Sequence, residues 1–184
     1  SLFVPQSVLE DRFGAEADHD IVPRYNIAPQ DDLEVVPNTD DNTITQMNWG
    51  LRPHWVDNPN GWGHPINARA ETVDERPSFR DAFEKRRCLV LADGFYEWSG
   101  SRGSKRPYRI HRADDEPFAF AGLWETWSEN GDELRTITII TTEPNDVVEP
   151  IHDRMPVMLE PDEEDQWLHK TDAGELKAML DPYP

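Results

Sequence analysis

The sequence is poor in cysteine, in lysine and in long apolar runs, and each shortage removes a class of answers. Its one cysteine, Cys88, cannot close an intrachain disulfide, so nothing points to an oxidising compartment. Apolar stretches such as Phe118–Leu123 fall far short of a membrane span, which needs about 20 residues. The start, Ser1-Leu2-Phe3-Val4-Pro5, has neither the basic region nor the long apolar region of a signal peptide. The expectation is a cytoplasmic protein with no membrane partner. Phosphate-loop, dinucleotide and nucleophile-elbow fingerprints are all missing, and no His or Cys pair has metal-ligand spacing. No cofactor and no metal are expected.

Lysine is restricted to Lys85, Lys105, Lys170 and Lys177, while Asp and Glu number 37 and the formal charge is −19. A carboxylate-rich, lysine-poor surface suits a protein adapted to high salt, where self-repulsion is screened and hydrated carboxylates maintain solubility. The charge is uneven. Residues 1–49 carry a net −8 and residues 113–184 a net −15, but residues 50–112 carry a net +4 with 12 basic residues. Such a basic middle either faces phosphates or pairs with neighbouring acids on an ordinary solvated face.

The chain is rich in large apolar anchors, with 7 Trp, 7 Phe and 4 Tyr among 184 residues. That length and content suit one folded domain, 1–184. A helix is predicted over 7–13, ending at Gly14, and another over 77–86. Strands are predicted over 33–37, 43–51, 88–92, 95–99, 108–111, 118–127 and 134–142, the last two joined by an Asn130-Gly131 hairpin signal. Acidic helices over 163–169 and 173–180 close the chain. The fold class is α+β, a single domain with an antiparallel, barrel-like β-sheet core and short flanking helices.

Several residues could carry chemistry. Glu97 alternates with Tyr96 and Trp98, so it either faces solvent or points inward among aromatics, where burial would suit general acid/base work. His152, beside two fixed charges in Ile151-His152-Asp153-Arg154, is either a structural histidine or a proton shuttle. In a strand Asn67, Arg69 and Glu71 would share one face, able to bind an anion or simply to form an internal Arg–Glu pair. Trp55 and Trp62, in a Gly/Pro/Asn loop, are either core plugs or stacking platforms for bases. Cys88, at the head of an apolar run, reads as a core residue and not a nucleophile.

Seven segments, in order, carry a resemblance. They are Arg24-Tyr25-Asn26-Ile27-Ala28-Pro29; Trp49-Gly50-Leu51 with Pro53 and Trp55; and Asn67-Ala68-Arg69-Ala70-Glu71-Thr72. They continue with Arg87-Cys88-Leu89-Val90, Ala92-Asp93-Gly94-Phe95-Tyr96-Glu97-Trp98, Ala121-Gly122-Leu123-Trp124-Glu125 and His152-Asp153-Arg154-Met155-Pro156. Together they resemble the SOS response-associated peptidase (SRAP) family. The resemblance implies an abasic-site sensor on single-stranded DNA, nucleoid-associated and monomeric. Family members lose their initiator methionine by autoproteolysis. The amine and thiol of the cysteine behind it then condense with the ring-opened sugar aldehyde to a thiazolidine, a DNA–protein cross-link. By the same resemblance Glu97 handles protons during methionine removal and ring opening. His152 moves protons on the sugar and assists reversal, and Asn67 holds the amine and aldehyde carbon in reacting geometry. DNA contacts fall to Arg69 and Arg154 on phosphates, to Trp55 or Trp62 as an aromatic wedge, and to Asn26 and Pro29.

The chain begins at Ser1, without the Met-Cys-Gly-Arg start typical of the family. The expectation is that this start precedes Ser1 in the full-length protein, that the family's C-terminal tail follows Pro184, and that residues 1–184 alone do not cross-link. An alternative from another class is a non-covalent single-stranded DNA binding module without chemistry.

Overall fold

The computed structural model describes residues 1–184, apart from the side chain of Pro59. In chain order the elements are α1 (Gln6–Phe13), β1 (Glu16–Ala17), β2 (Asp32–Pro37), β3 (Thr43–Trp49), β4 (Asn67–Arg69), α2 (Arg80–Lys85) and β5 (Arg87–Ala92). Then come β6 (Phe95–Ser99), β7 (Arg106–Ile110), β8 (Phe118–Glu129), β9 (Asp132–Thr142), β10 (Met155–Pro156), α3 (Glu164–His169) and α4 (Ala173–Ala178).

Five strands, β3-β2-β5-β8-β9, close into a barrel. The neighbours along that path are antiparallel, whereas the closing β3–β9 contact is parallel, with Asn48 opposite Thr136 and Trp49 opposite Ile137. The antiparallel, barrel-like core expected from the sequence is therefore present, with one parallel contact where the non-consecutive strands β3 and β9 close it. β1 extends β3, while β4 and β10 add to β9, and β6 with β7 form a separate hairpin.

The period-2 pattern of the central strands sorts two apolar sets. Cys88, Val90, Val35, Phe118, Phe120, Ile137 and Ile139 cluster on the enclosed side of the barrel. Leu89, Leu91, Val36, Ala119, Ala121 and Leu123 cluster outside it, under Leu9 of α1, Phe83 of α2, Trp167 of α3 and Leu176 of α4. With both faces covered, β5 is buried along its whole length, which is why its sequence reads as an unbroken apolar run after Arg87. The interior is tight. A Cβ at Gly122, opposite Cys88, would meet Cys88 Sγ at 2.8 Å and Val90 Cγ2 at 2.7 Å.

The hairpin turn at Asn130 and Gly131 has both residues at positive φ, 53° and 92°, as a tight turn matching strand twist requires. The strand that carries Asn67 stops at Arg69, where the backbone enters a series of turns. Glu71 therefore leaves the Asn67/Arg69 face and pairs with Arg154 (2.7 Å) instead of Arg69. Arg87, counted in the basic middle, faces no surface; it is 2% exposed. Among the described residues no helix is long and apolar enough to cross a membrane.

Candidate functional site

A cavity of about 350 Å³ reaches into the enclosed side of the barrel, with Leu33, Phe95, Phe120 and Ile139 among its apolar walls. Segments distant in sequence bring polar groups to it: Asn26 and Pro29 from the loop before β2, Asn67 from β4, Glu97 from β6, and His152 and Arg154 from the segment before β10. Six of the nine residues proposed from sequence thus share one cavity. The remaining three, Arg69, Trp55 and Trp62, do not line it.

Glu97 reaches the cavity because Phe95, two residues earlier on the same face of β6, is buried. Burial pushes its carboxyl up from the ordinary carboxylate range, and the facing His152 pulls against that shift. His152 Nε2 lies 3.8 Å from Glu97 Oε2, too far for a direct hydrogen bond, so the two groups point at a shared volume. His152 Nδ1 is held by a backbone that serves both protonation states. The Arg154 N–H donates to it at 3.1 Å, and the Arg154 carbonyl lies 3.0 Å away to accept from the imidazolium. In the neutral ring, the first contact leaves the proton on Nε2, the atom facing Glu97. A carboxyl and an imidazole placed this way can pass protons to and from a substrate set between them.

Arg154 is engaged more heavily than a free phosphate ligand. It forks to Glu71 with bonds of 2.7 and 3.0 Å and donates to the Thr141 carbonyl at 2.8 Å. That fork holds the Glu71 carboxyl below its usual range. Trp62 is tethered, its Nε1 donating to the Leu51 carbonyl at 2.8 Å, while Trp55 packs edge-on against it at 5.3 Å and remains 47% exposed. Cys88 is fully buried, and burial pushes its thiol up, away from the reactive thiolate. Among the described residues no cluster of His, Cys, Asp or Glu could hold a metal ion.

Sequence reasoning missed Trp49, Trp98 and Ser1, which also line the cavity. Trp98 had a signal in its place beside Glu97. Ser1, at the chain start, is a poor nucleophile by its hydroxyl, and only the folded chain brings it against Gly94, whose carbonyl accepts from the Ser1 nitrogen at 2.8 Å.

A five-stranded barrel with an apolar cleft that brings a carboxyl and an imidazole face to face is the architecture the chain shares with one family. The chain belongs to the SOS response associated peptidase (SRAP) family, whose sequence model matches residues 1–184. It is 43% identical over 178 residues to the abasic site processing protein YoqW of Bacillus subtilis, covering 94% of this chain and 79% of that one. It is 31% identical to the abasic site processing protein YedK of Escherichia coli, covering 89% and 72%. A crystal structure of a protein from Bacteroides thetaiotaomicron superposes with a TM-score of 0.90 at 30% identity, covering all of this chain and 86% of that one.

Proposed function

We propose that this protein processes abasic sites in single-stranded DNA by covalent capture, through a cysteine joined upstream of Ser1. The observation that carries the reading is the meeting of Asn67, Glu97 and His152 in one cavity that Ser1 also lines. A segment preceding Ser1 would start at that cavity. The relatives' names give the substrate class.

An abasic sugar is electrophilic only as the open-chain aldehyde. Ring opening needs one proton taken from the anomeric hydroxyl and one given to the ring oxygen, and Glu97 with its raised pKa can do both in turn. The amine then adds to the aldehyde with loss of water, and the thiol adds across the resulting C=N to close a thiazolidine. His152 Nε2 faces this volume as the second proton carrier. Asn67, donor and acceptor at once, orients amine and carbonyl, replacing a random encounter with an effectively intramolecular one. Removal of an initiator methionine would use the same acid–base pair.

Arg69, exposed on the Asn67 face of β4, binds a flanking phosphate. Trp55, the exposed member of the tryptophan pair, is the stacking surface, and Trp62 its anchor. The test is a denaturing gel of the full-length protein, with and without its upstream cysteine, after mixing with abasic single-stranded DNA. A shifted band with the cysteine alone supports covalent capture. No band from a protein that still binds the DNA leaves a non-covalent binding module.

Arg154 gives a second expected result. Glu71 occupies its fork as a phosphate would, so DNA must displace one carboxylate before Arg154 can bind it. Glu71→Gln weakens that competition and removes a negative charge from the DNA face. Affinity for single-stranded DNA should rise about three- to tenfold at low salt, by roughly 1 kcal/mol. Fluorescence anisotropy across a salt series checks it; unchanged or weaker binding shows that Glu71 and phosphate do not compete.

A further inference from the structure

The geometry points to Asp93, clamped by Arg109, as the positioning residue that sets where the chain's first segment enters the cavity; this rests on the covalent-capture reading. Asp93 precedes β6 and is 2% exposed, and its carboxylate serves the Ser1–Val4 segment, whose first residue lines the cavity. Oδ2 accepts from the Phe3 N–H at 2.6 Å and the Val4 N–H at 3.2 Å, and Oδ1 accepts from Ser1 Oγ at 2.8 Å. The Asp93 N–H donates in turn to the Ser1 carbonyl at 3.1 Å. One buried residue therefore binds four groups of one short segment, and a carboxylate accepting consecutive backbone N–H groups fixes that backbone in direction as well as position.

Arg109, on β7, fixes Asp93. Its Nη2 donates to the Asp93 carbonyl at 2.8 Å and lies 3.3 Å from Oδ1, and its guanidinium sits 4.8 Å from the centre of the Phe3 ring. The space it fills exists because residue 94 is glycine; a Cβ there would meet the guanidinium at 2.9 Å. Phe3 also stacks on Tyr25 at 4.9 Å, and Leu2 exchanges backbone hydrogen bonds with Arg24 at 2.8 and 2.7 Å. The entering segment is thus tied on one side to Asp93 and Arg109, four residues or fewer from Glu97 or on its hairpin partner. On the other side it is tied to the loop that carries Asn26 and Pro29. A nucleophile joined upstream of Ser1 inherits its aim from this clasp, and a displacement near 1 Å costs about a hundredfold in rate.

The experiment uses the full-length protein with its upstream residues. Binding is read with single-stranded DNA bearing a tetrahydrofuran abasic analogue, which has no aldehyde. The cross-linking rate is read at saturating DNA with a true abasic site. Asp93→Asn and Arg109→Gln are expected to slow the first-order rate at least about tenfold while the analogue's Kd stays within about twofold, and to speed amide exchange at Phe3 and Val4. Arg109, partly exposed, decides the matter if Asp93→Asn does not fold. An unchanged rate overturns the assignment, as does a rate that falls only in step with Kd and melting temperature, the mark of a structural role. No covalent product from the unsubstituted protein overturns the capture reading itself, and the clasp's role with it.

Discussion

Arg87→Met is expected to lower the melting temperature by roughly 6–12 °C. The guanidinium is buried, and its hydrogen-bond partners are backbone carbonyls: Nε donates to Trp167 O at 2.6 Å, Nη1 to Phe83 O at 2.8 Å and Glu84 O at 2.7 Å, and Nη2 to Lys170 O at 2.5 Å. Those carbonyls lie at the C-terminal ends of α2 and α3, where the last carbonyls of a helix have no partner of their own and the helix dipole favours a cation. One side chain thus caps two helices and joins them to β5. Methionine replaces the apolar stem but satisfies none of these acceptors. An orphaned buried acceptor costs about 1–3 kcal/mol, and some of these will reach water. The expected net loss is about 3 kcal/mol, or 2–4 °C per kcal/mol for a domain of this size. A thermal melt with amide exchange across α3 checks it. A melting temperature within about 2 °C of the original means that water replaces the guanidinium without cost.

Arg87 also marks where sequence reading stops. Its neighbours predicted β5 correctly, since β-branched and apolar residues flanked by turns leave little choice, and the same held for β2, β8, β9 and the Asn130-Gly131 turn. Glu97 was ambiguous by local pattern, and the burial of Phe95 two residues earlier resolves it inward. The residues brought to the cavity from the motifs were legible as types and spacings, though their meeting was not. What was illegible is pairing across distance. Arg69 and Glu71 share a strand face only if the strand runs on, and it ends at Arg69 because the backbone turns there, handing Glu71 to Arg154. Nothing near Arg87 distinguishes an arginine that caps helices from one that faces phosphate. Asp93 stood in the Ala92–Trp98 motif with no role of its own, and its ties to Ser1–Val4 connect segments about ninety positions apart.

Replacing His152 is expected to move the titration of Glu97 to higher pH. The carboxyl is already raised, first by burial, and the positive charge on His152 counteracts that burial. His152→Gln keeps a polar side chain beside the carboxyl but removes the imidazole 3.8 Å away whose charge pulls against burial, so the raising effect of burial stands less opposed. The sign for stability follows. Because the folded carboxyl is raised above its unfolded value, its contribution is fully present below the unfolded pKa and is lost as pH rises through the folded one. The variant loses it over a higher range of pH than the unsubstituted protein does. Carboxyl 13C shifts of labelled Glu97 read the titration directly, without DNA and without any cross-linking step. The same measurement bears on mechanism, since the limb of the rate profile that reports protonated Glu97 should track the titration and vanish in Glu97→Gln, with the cross-linking rate down by about 10²–10⁴-fold. A Glu97 titration that stays put or moves down in His152→Gln would show that the two groups do not share their charge, and a pH limb that survives in Glu97→Gln would place the essential acid elsewhere in the cavity.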